Sequence, residues 1–272
     1  GGNAAAVIWL DLGVAGIAGA TILSRFVGTA LALFLLKRGR VGLSLERRDG
    51  PLFDLALWRR MALLAAPVGA RTMLFGIVYL VVTGITAHYG TAAQNGLAVG
   101  IRVEGICFFV LVGFGLAVGP IVGQNLGAGH PTRAARAAWI TVVLALAPSL
   151  FFTALFLFAP FWFMSIFARD AATIAHGTAY LRIVAVSFVF LDLEVVLANA
   201  FVGAGDTLPP MLVDVPLTAL RIPLALLTTD VLGWGPEGIW WTISGTAIAR
   251  GIGMTLLFLR GRWKRARPDL DG

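Results

Sequence analysis

Residues 11–40 read DLGVAGIAGATILSRFVGTALALFLLKRGR, and residues 233–262 read GWGPEGIWWTISGTAIARGIGMTLLFLRGR. Each copy runs Gly-x-x-Gly-Ile, a long apolar stretch, then Arg-Gly-Arg. Gly13, Gly16, Ile17, Arg38, Gly39 and Arg40 map onto Gly235, Gly238, Ile239, Arg260, Gly261 and Arg262 with one constant offset of 222. Register is thus kept across a stretch long enough to cross a bilayer, which needs about 20 apolar residues at the helical rise. A direct repeat of this kind belongs to duplicated membrane architectures. Its period places the start of the first unit roughly 180 residues ahead of Gly1, so the chain reads as the back part of a larger protein.

Working outward, 58% hydrophobic and 13% charged residues, with a mean hydropathy of +0.88, exclude a soluble globular domain. Apolar runs at 14–36, 61–87, 92–122, 137–167, 171–202, 211–231 and 238–259 predict seven transmembrane helices. They lack period-two alternation and are too long for barrel strands. The expected fold class is therefore an all-α polytopic membrane protein: the last helix of a first lobe, then a complete six-helix second lobe. The expected organisation is a first-lobe end at 1–36, an inter-lobe linker at 37–58, the second lobe at 59–260 and a basic tail at 261–272.

Lys and Arg concentrate in 37–60, after the third span at Arg133 and Arg136, and in the tail. The opposite loops carry only Arg169. By the positive-inside rule, linker, tail and the loops after the third and fifth spans are cytoplasmic. The net charge of +7 is then topology and contact with membrane lipids, not nucleic-acid binding. A single cysteine, Cys107, excludes an intrachain disulfide. His88, His130 and His176 are scattered, so no metal site is expected, and no cofactor.

Two cytoplasmic loops are distinctive. The third span runs into VGQNLGAGHPTRAARAA (122–138) and the fifth into NAFVGAGDTLPP (199–210). In physical terms, Gly123, Gly127 and Gly129 permit positive φ and close helix approach. Gln124 and Asn125 are suited to carbonyls freed at a helix end, and Pro209 and Pro210 to starting the next helix. The string Gly203-Ala204-Gly205-Asp206 matches the GxGD of intramembrane aspartyl proteases. Asp206 nevertheless sits at a helix end with no Tyr-Asp partner in an earlier span, which argues against an enzyme.

Together with the Arg-Gly-Arg terminus, these loops resemble those of the multidrug and toxic compound extrusion (MATE) family. There, each of two six-helix lobes carries a VGQ-x-LGAG-type loop, and later helices carry a GAGDT-x-PP-type loop. The family-signature positions here are Gly123, Gln124, Asn125, Gly127, Gly129, Gly203, Gly205 and Asp206. The resemblance covers essentially the whole chain, numbers its spans as helices six to twelve, and implies a bacterial cytoplasmic (inner) membrane location.

Acids inside the spans are Glu104, Asp192, Glu194 and Asp214; bases are Arg71, Arg102, Arg182, Arg221 and Arg250. A charge at the bilayer centre costs about 3 kcal/mol by insertion scales and is functional or paired. Tyr180, Ser187 and Glu194 recur by seven on the fifth span, and Asp192 and Asn199 form a second stripe. Thr72, Tyr79 and Thr86 give the second span a wettable face. Asp214, Thr218 and Arg221 share a face of the sixth span and read as a self-satisfied polar stripe. Glu104 reads either as a functional acid or as the fixed partner of Arg71 or Arg182. Phe108, Phe109, Phe188 and Phe190 could stack on a cation, although lipid-facing packing is the commoner role for such residues.

The candidate substrate and cation site is Glu194, Asp192, Glu104, Tyr180, Ser187, Asn199 and Tyr79. The family resemblance implies a carboxylate on the tenth helix, here the one bearing Asp192 and Glu194. It also implies an acid on the seventh, which 59–87 lacks, leaving Glu104 as the substitute. The expected function is antiport coupled to H+ or Na+, exporting small organic cations or drugs in concert with the first lobe of the same polypeptide. A lipid-linked precursor flippase with a cationic cavity, built on Arg71, Arg102, Arg182 and Arg221, is the alternative.

Overall fold

The computed structural model describes residues 13–38 and 54–265, which fall into two units on either side of the Asp54/Leu55 boundary. Gly39, Arg40, most of the linker and the end of the tail lie outside the described residues. The first unit is one helix, α1 (Gly13–Lys37). The second is a bundle: α2 (Leu55–Ala87), α3 (Thr91–Gly127), α4 (Pro131–Phe158), α5 (Pro160–Phe167), α6 (Ala171–Ala185), α7 (Phe188–Gly203), α8 (Leu208–Ala219), α9 (Arg221–Leu226) and α10 (Pro236–Leu259). A π-helical turn (Leu227–Val231) extends α9, and a 3-10 turn (Arg262–Arg265) follows α10.

Six helical stretches are long and apolar enough to cross a membrane, with α8, α9 and the π turn counted as one. The expected fifth span, at 171–202, is broken. Val186 and Ser187 interrupt it, leaving α6 and α7 with 15 and 16 residues. Ser187 Oγ donates to the Val184 carbonyl at 2.7 Å, one of the groups the break leaves near the helix end. The fourth span also departs from expectation: it starts at Pro131, six residues early, and stops at Phe158, because Pro160 begins a separate short helix. A proline ring cannot continue the hydrogen-bond ladder of the helix before it. At α6 the opening turn is held by Asp170, whose Oδ2 accepts from the Thr173 N–H at 2.9 Å. That bond to Thr173 holds the Asp170 carboxyl below the usual range.

α3 and α7 are the centre of the bundle. α3 packs chiefly on α7, α6 and α4; α7 packs also on α10 and α4; α2 lies against α8, α9 and α3. In lipid, helices associate by close packing rather than by an apolar driving force, and glycines on α3 set that packing. A Cβ on Gly96 or Gly100 would strike α6 at His176 or Tyr180, and one on Gly115 would lie 2.7 Å from Asn199 Nδ2. Farther along, a Cβ on Gly123 would lie 2.9 Å from the Gly203 carbonyl oxygen, and one on Gly203 would run into Gly119. Large apolar side chains such as Leu80, Phe109 and Phe158 are left on the outer surface, as a lipid-facing exterior requires.

Both signature loops prove to be the same helix stop. The His130 N–H donates to the Asn125 carbonyl at 2.8 Å and the Gly129 N–H to Leu126 at 3.0 Å; Asp206 and Gly205 repeat the pattern onto Phe201 and Val202. This is the Schellman arrangement, and its left-handed residue is Gly129 (φ 77°) or Gly205 (φ 75°). The expectation of positive φ at Gly123 and Gly127 is corrected: both end α3 in helical conformation, since only the residue beyond the cap must turn. Asn125 also differs from expectation, its Nδ2 donating to Ile121 one turn back at 2.7 Å. Alanine at Gly129 is expected to cost about 1 to 2 kcal/mol, visible as a lower thermal midpoint of the purified protein.

Candidate functional site

Between α2, α3, α7, α8 and α10 lies a cavity of about 420 Å³, within the size range of small-molecule sites. α2 contributes Arg71, Thr72, Phe75 and Tyr79; α3 contributes Glu104 and Phe108; α7, with Ser187 just before it, contributes Glu194 and Asn199. Asp214 and Thr218 enter from α8, Arg221 from α9 and Arg250 from α10. α2, α7 and α8 each supply two or more polar residues, and α3, α9 and α10 one apiece, so several otherwise apolar spans share one polar interior.

The charges sort by partner. Arg250 Nη1 lies 3.1 Å from Glu194 Oε1, joining α10 to α7 with both side chains nearly buried. Arg71 is ion-paired with Asp214, joining α2 to α8. Glu104 accepts a hydrogen bond from the Tyr180 hydroxyl. Tyr180 is itself buried, lying against Gly100 and edge-on to Trp240 with ring centroids 5.4 Å apart. Arg221 meets no carboxylate within ion-pair distance among the described residues. Its Nε donates to Thr246 Oγ1 at 2.7 Å, and its Cζ lies 5.6 Å from the ring centroid of Tyr79 and 5.9 Å from that of Phe75.

Several expectations change against this geometry. Glu104 pairs with neither Arg71 nor Arg182, because Tyr180 occupies its carboxylate and Asp214 occupies Arg71. The stripe Asp214, Thr218, Arg221 is not self-satisfied: Asp214 pairs with Arg71 on α2, and Arg221 donates to the neutral Thr246 on α10. Of the seven candidate site residues, Glu194, Glu104, Ser187, Asn199 and Tyr79 line the cavity. Tyr180 stands behind Glu104, and Asp192 is fully buried elsewhere, its two oxygens without hydrogen-bond partners among the described residues. The break at Val186 and Ser187 is why the Tyr180 stripe does not stay on one face. Of the aromatics, Phe108 lines the cavity, Phe109 faces outward, and Phe188 packs in the core against Phe156. Phe75 and Arg250 are among the cavity residues that helix spacing did not single out. Phe75 falls between Thr72 and Tyr79 at i+3 and i+4, which was the available signal.

The signature residue Asp206 lies beyond the end of α7, away from the cavity, where burial pushes its carboxyl up. Among the described residues no cluster of three or more His, Cys, Asp or Glu is suited to a metal.

The described residues thus form a helical bundle around a mixed-charge interior cavity, and comparison with known proteins identifies its family. The MatE family model matches residues 67–227, and the chain belongs to that family, as the loops at 122–138 and 199–210 imply. It is 27% identical over 262 residues to a probable multidrug resistance protein NorM of Thermotoga maritima, covering 94% of this chain and 55% of that protein. It is 30% identical over 254 residues to a probable multidrug resistance protein NorM of Deinococcus radiodurans, covering 91% of this chain and 55% of that one. Its fold matches the solved structure of a MOP superfamily transporter from Pyrococcus furiosus with a TM-score of 0.85 at 18% identity, over 96% of this chain and 59% of that one. The chain thus spans little more than half the length of these relatives.

Proposed function

We propose that this chain forms one lobe of an exporter of small organic cations or drugs, working by alternating access with a first lobe and coupled to H+ or Na+. The observation that carries the proposal is Glu104. It is the cavity carboxylate held by a neutral phenol rather than by an arginine. Its charge is therefore available to an incoming cation, with Phe108 one turn away on α3 and Tyr79 lining the same cavity from α2. A carboxylate of this kind binds an organic cation when ionised and releases it when protonated or occupied by sodium, so the two ligands compete for one charge.

The relatives' printed names, multidrug resistance proteins, agree with this reading. The flippase alternative calls for a cationic cavity. Of its four arginines only Arg71 and Arg221 line the cavity, and the cavity's three arginines are matched by three acids. The placement of linker, signature loops and tail on the cytoplasmic side of a bacterial inner membrane belongs to the same proposal and rests on the basic residues of the linker, the 122–138 loop and the tail, the 199–210 loop following from the alternation of spans.

The test uses everted vesicles carrying the complete reading frame, with tetraphenylphosphonium and then sodium added while the pH gradient is followed. Glu104→Gln is expected to slow cation-triggered dissipation at least tenfold, equivalent to about 1.4 kcal/mol added to the barrier. Unchanged dissipation in the variant would remove Glu104 from the mechanism. No response to either addition, with protein present in the membrane, would favour the flippase.

A further inference from the structure

At the end of the bundle that carries the two signature loops, the start of α4 and the close of α10 meet through aromatic rings outside the cavity. Trp139 of α4 stands edge-on to Phe258 of α10 with ring centroids 5.8 Å apart, Phe201 of α7 meets Phe258 in the same way, and Trp263 stacks on Phe258 at 4.5 Å. Trp263 belongs to the 3-10 turn beyond α10. It is fully buried, and its Nε1 donates to the Phe258 carbonyl at 3.0 Å. Gly261, at φ 69°, lets the chain fold back for this contact, and the Lys264 N–H closes the turn on the Gly261 carbonyl at 3.2 Å. Five cations border the stack: Arg133 and Arg136 on α4, then Arg260, Arg262 and Lys264 around Trp263. All five are exposed, and none forms an ion pair among the described residues.

Membrane topology accounts for the number of these charges but not for their arrangement. The positive-inside rule counts Lys and Arg in a segment and asks for no fixed conformation, whereas here a buried tryptophan holds Arg262 and Lys264 in an ordered turn. Arg133 and Arg136 stand in the first two turns of α4, where the helix dipole disfavours cations, so they do not serve the helix. Deeper into the bundle each helix becomes apolar on the face that carries its cations. Arg133, Arg136, Ile140 and Leu144 follow one another at helical spacing on α4, as Arg260, Leu256 and Ile252 do on α10, and the apolar members of both rows are exposed. We propose that this end of α4 and α10 binds an anionic phospholipid, its cations holding the headgroup phosphate and the exposed apolar rows beneath them the acyl chains. Guanidinium groups pair with phosphate through two parallel hydrogen bonds, and clustered basic residues beside membrane helices attract anionic headgroups. A soluble anion would leave the apolar rows unused. None of these residues lines the export cavity, and the inference does not depend on the export reading.

Native mass spectrometry of the full-length protein in detergent, titrated with dioleoyl-phosphatidylglycerol or dioleoyl-phosphatidylcholine, reads the lipids retained. The two share acyl chains and phosphate and differ in net charge. The wild type is expected to hold phosphatidylglycerol at least tenfold more tightly. Arg133→Gln with Arg136→Gln, or Arg262→Gln with Lys264→Gln, is expected to cut that preference at least fivefold. Arg59→Gln with Arg60→Gln removes the same charge from the start of α2 and is expected to leave the preference unchanged. Trp263→Ala keeps every charge but frees the turn, and is expected to lower the preference as well. Folding is checked by gel filtration and thermal melting, and if the Trp263 variant does not fold, the three paired variants still decide. Equal retention of both lipids by the wild type, or an equal loss in the Arg59 and Arg60 control, would overturn the site. So would a preference untouched by the other charge pairs or by Trp263→Ala in a folded protein. Displacement of phosphatidylglycerol by millimolar inorganic phosphate would overturn the lipid as its occupant.

Discussion

Alanine at Gly203 is expected to destabilise the bundle by about 3 kcal/mol, the upper part of the range for overpacked sites, a fall of about 6 to 12 °C in thermal midpoint. The reason is what the added carbon meets. At most crowded positions a flexible side chain yields; here the obstacle is the carbonyl and Cα of Gly119, backbone in the middle of a hydrogen-bonded helix. Relief requires α3 and α7 to separate. Those two helices are the centre of the bundle and carry Glu104 and Glu194, so the cavity is expected to lose its shape along with the crossing. Gly127→Ala is the control from the same signature motif. A Cβ at Gly127 meets nothing within 4 Å and its backbone is helical, so alanine there is expected to leave the midpoint unchanged or raise it slightly, by the ordinary helix preference for alanine of about 0.5 to 1 kcal/mol. A Gly203→Ala protein that melts with the wild type would mean that the crossing does not hold the bundle together.

The glycines also explain how much was legible. Apolar run length reveals the spans because lipid imposes it, and the two GAG strings reveal helix stops because a left-handed residue after a cap is nearly always glycine. Breaks inside spans are harder to read. The run from 171 to 202 carries no proline to mark Val186 and Ser187 as a break; α6 and α7 both pack on α3 and on α10, and the interruption is decided by that tertiary packing. Partnering is harder still. Helical spacing grouped Thr72 with Tyr79, both on α2, and Glu194 with Ser187 at the N-cap of α7, and all four line the cavity, since these relations are local along the chain. Which acid meets which arginine is decided between helices, so Arg71 with Asp214, Arg250 with Glu194, and Glu104 with Tyr180 across 76 residues could not be derived from spacing. Asp192 shows the same limit: two residues from Glu194 and as acidic, it lies on the edge of the helix face that closes rather than opens.

The second large effect concerns Glu194 and Arg250, whose pairing makes function and structure hard to tell apart by single substitution. Glu194→Ala is expected to cost about 3 to 5 kcal/mol, because it strands a buried guanidinium. Lost export in that variant would therefore say little about transport. The pair is not ideal, however: Glu194 Oε2 and Arg250 Nε both lack hydrogen-bond partners among the described residues, so part of the desolvation of two ions is never offset. Replacing both partners at once, Glu194→Leu with Arg250→Met, is accordingly expected to return the thermal midpoint to near the wild-type value, with a large coupling between the two sites in the double-mutant cycle. Export by the double variant then isolates the chemical role. If Glu194 serves only as a tie between α7 and α10, the stable double variant exports organic cations as the wild type does. If its carboxylate takes part in ion exchange beside Glu104, the double variant melts normally and transports nothing. A double variant as unstable as Glu194→Ala alone would contradict the ion pair itself.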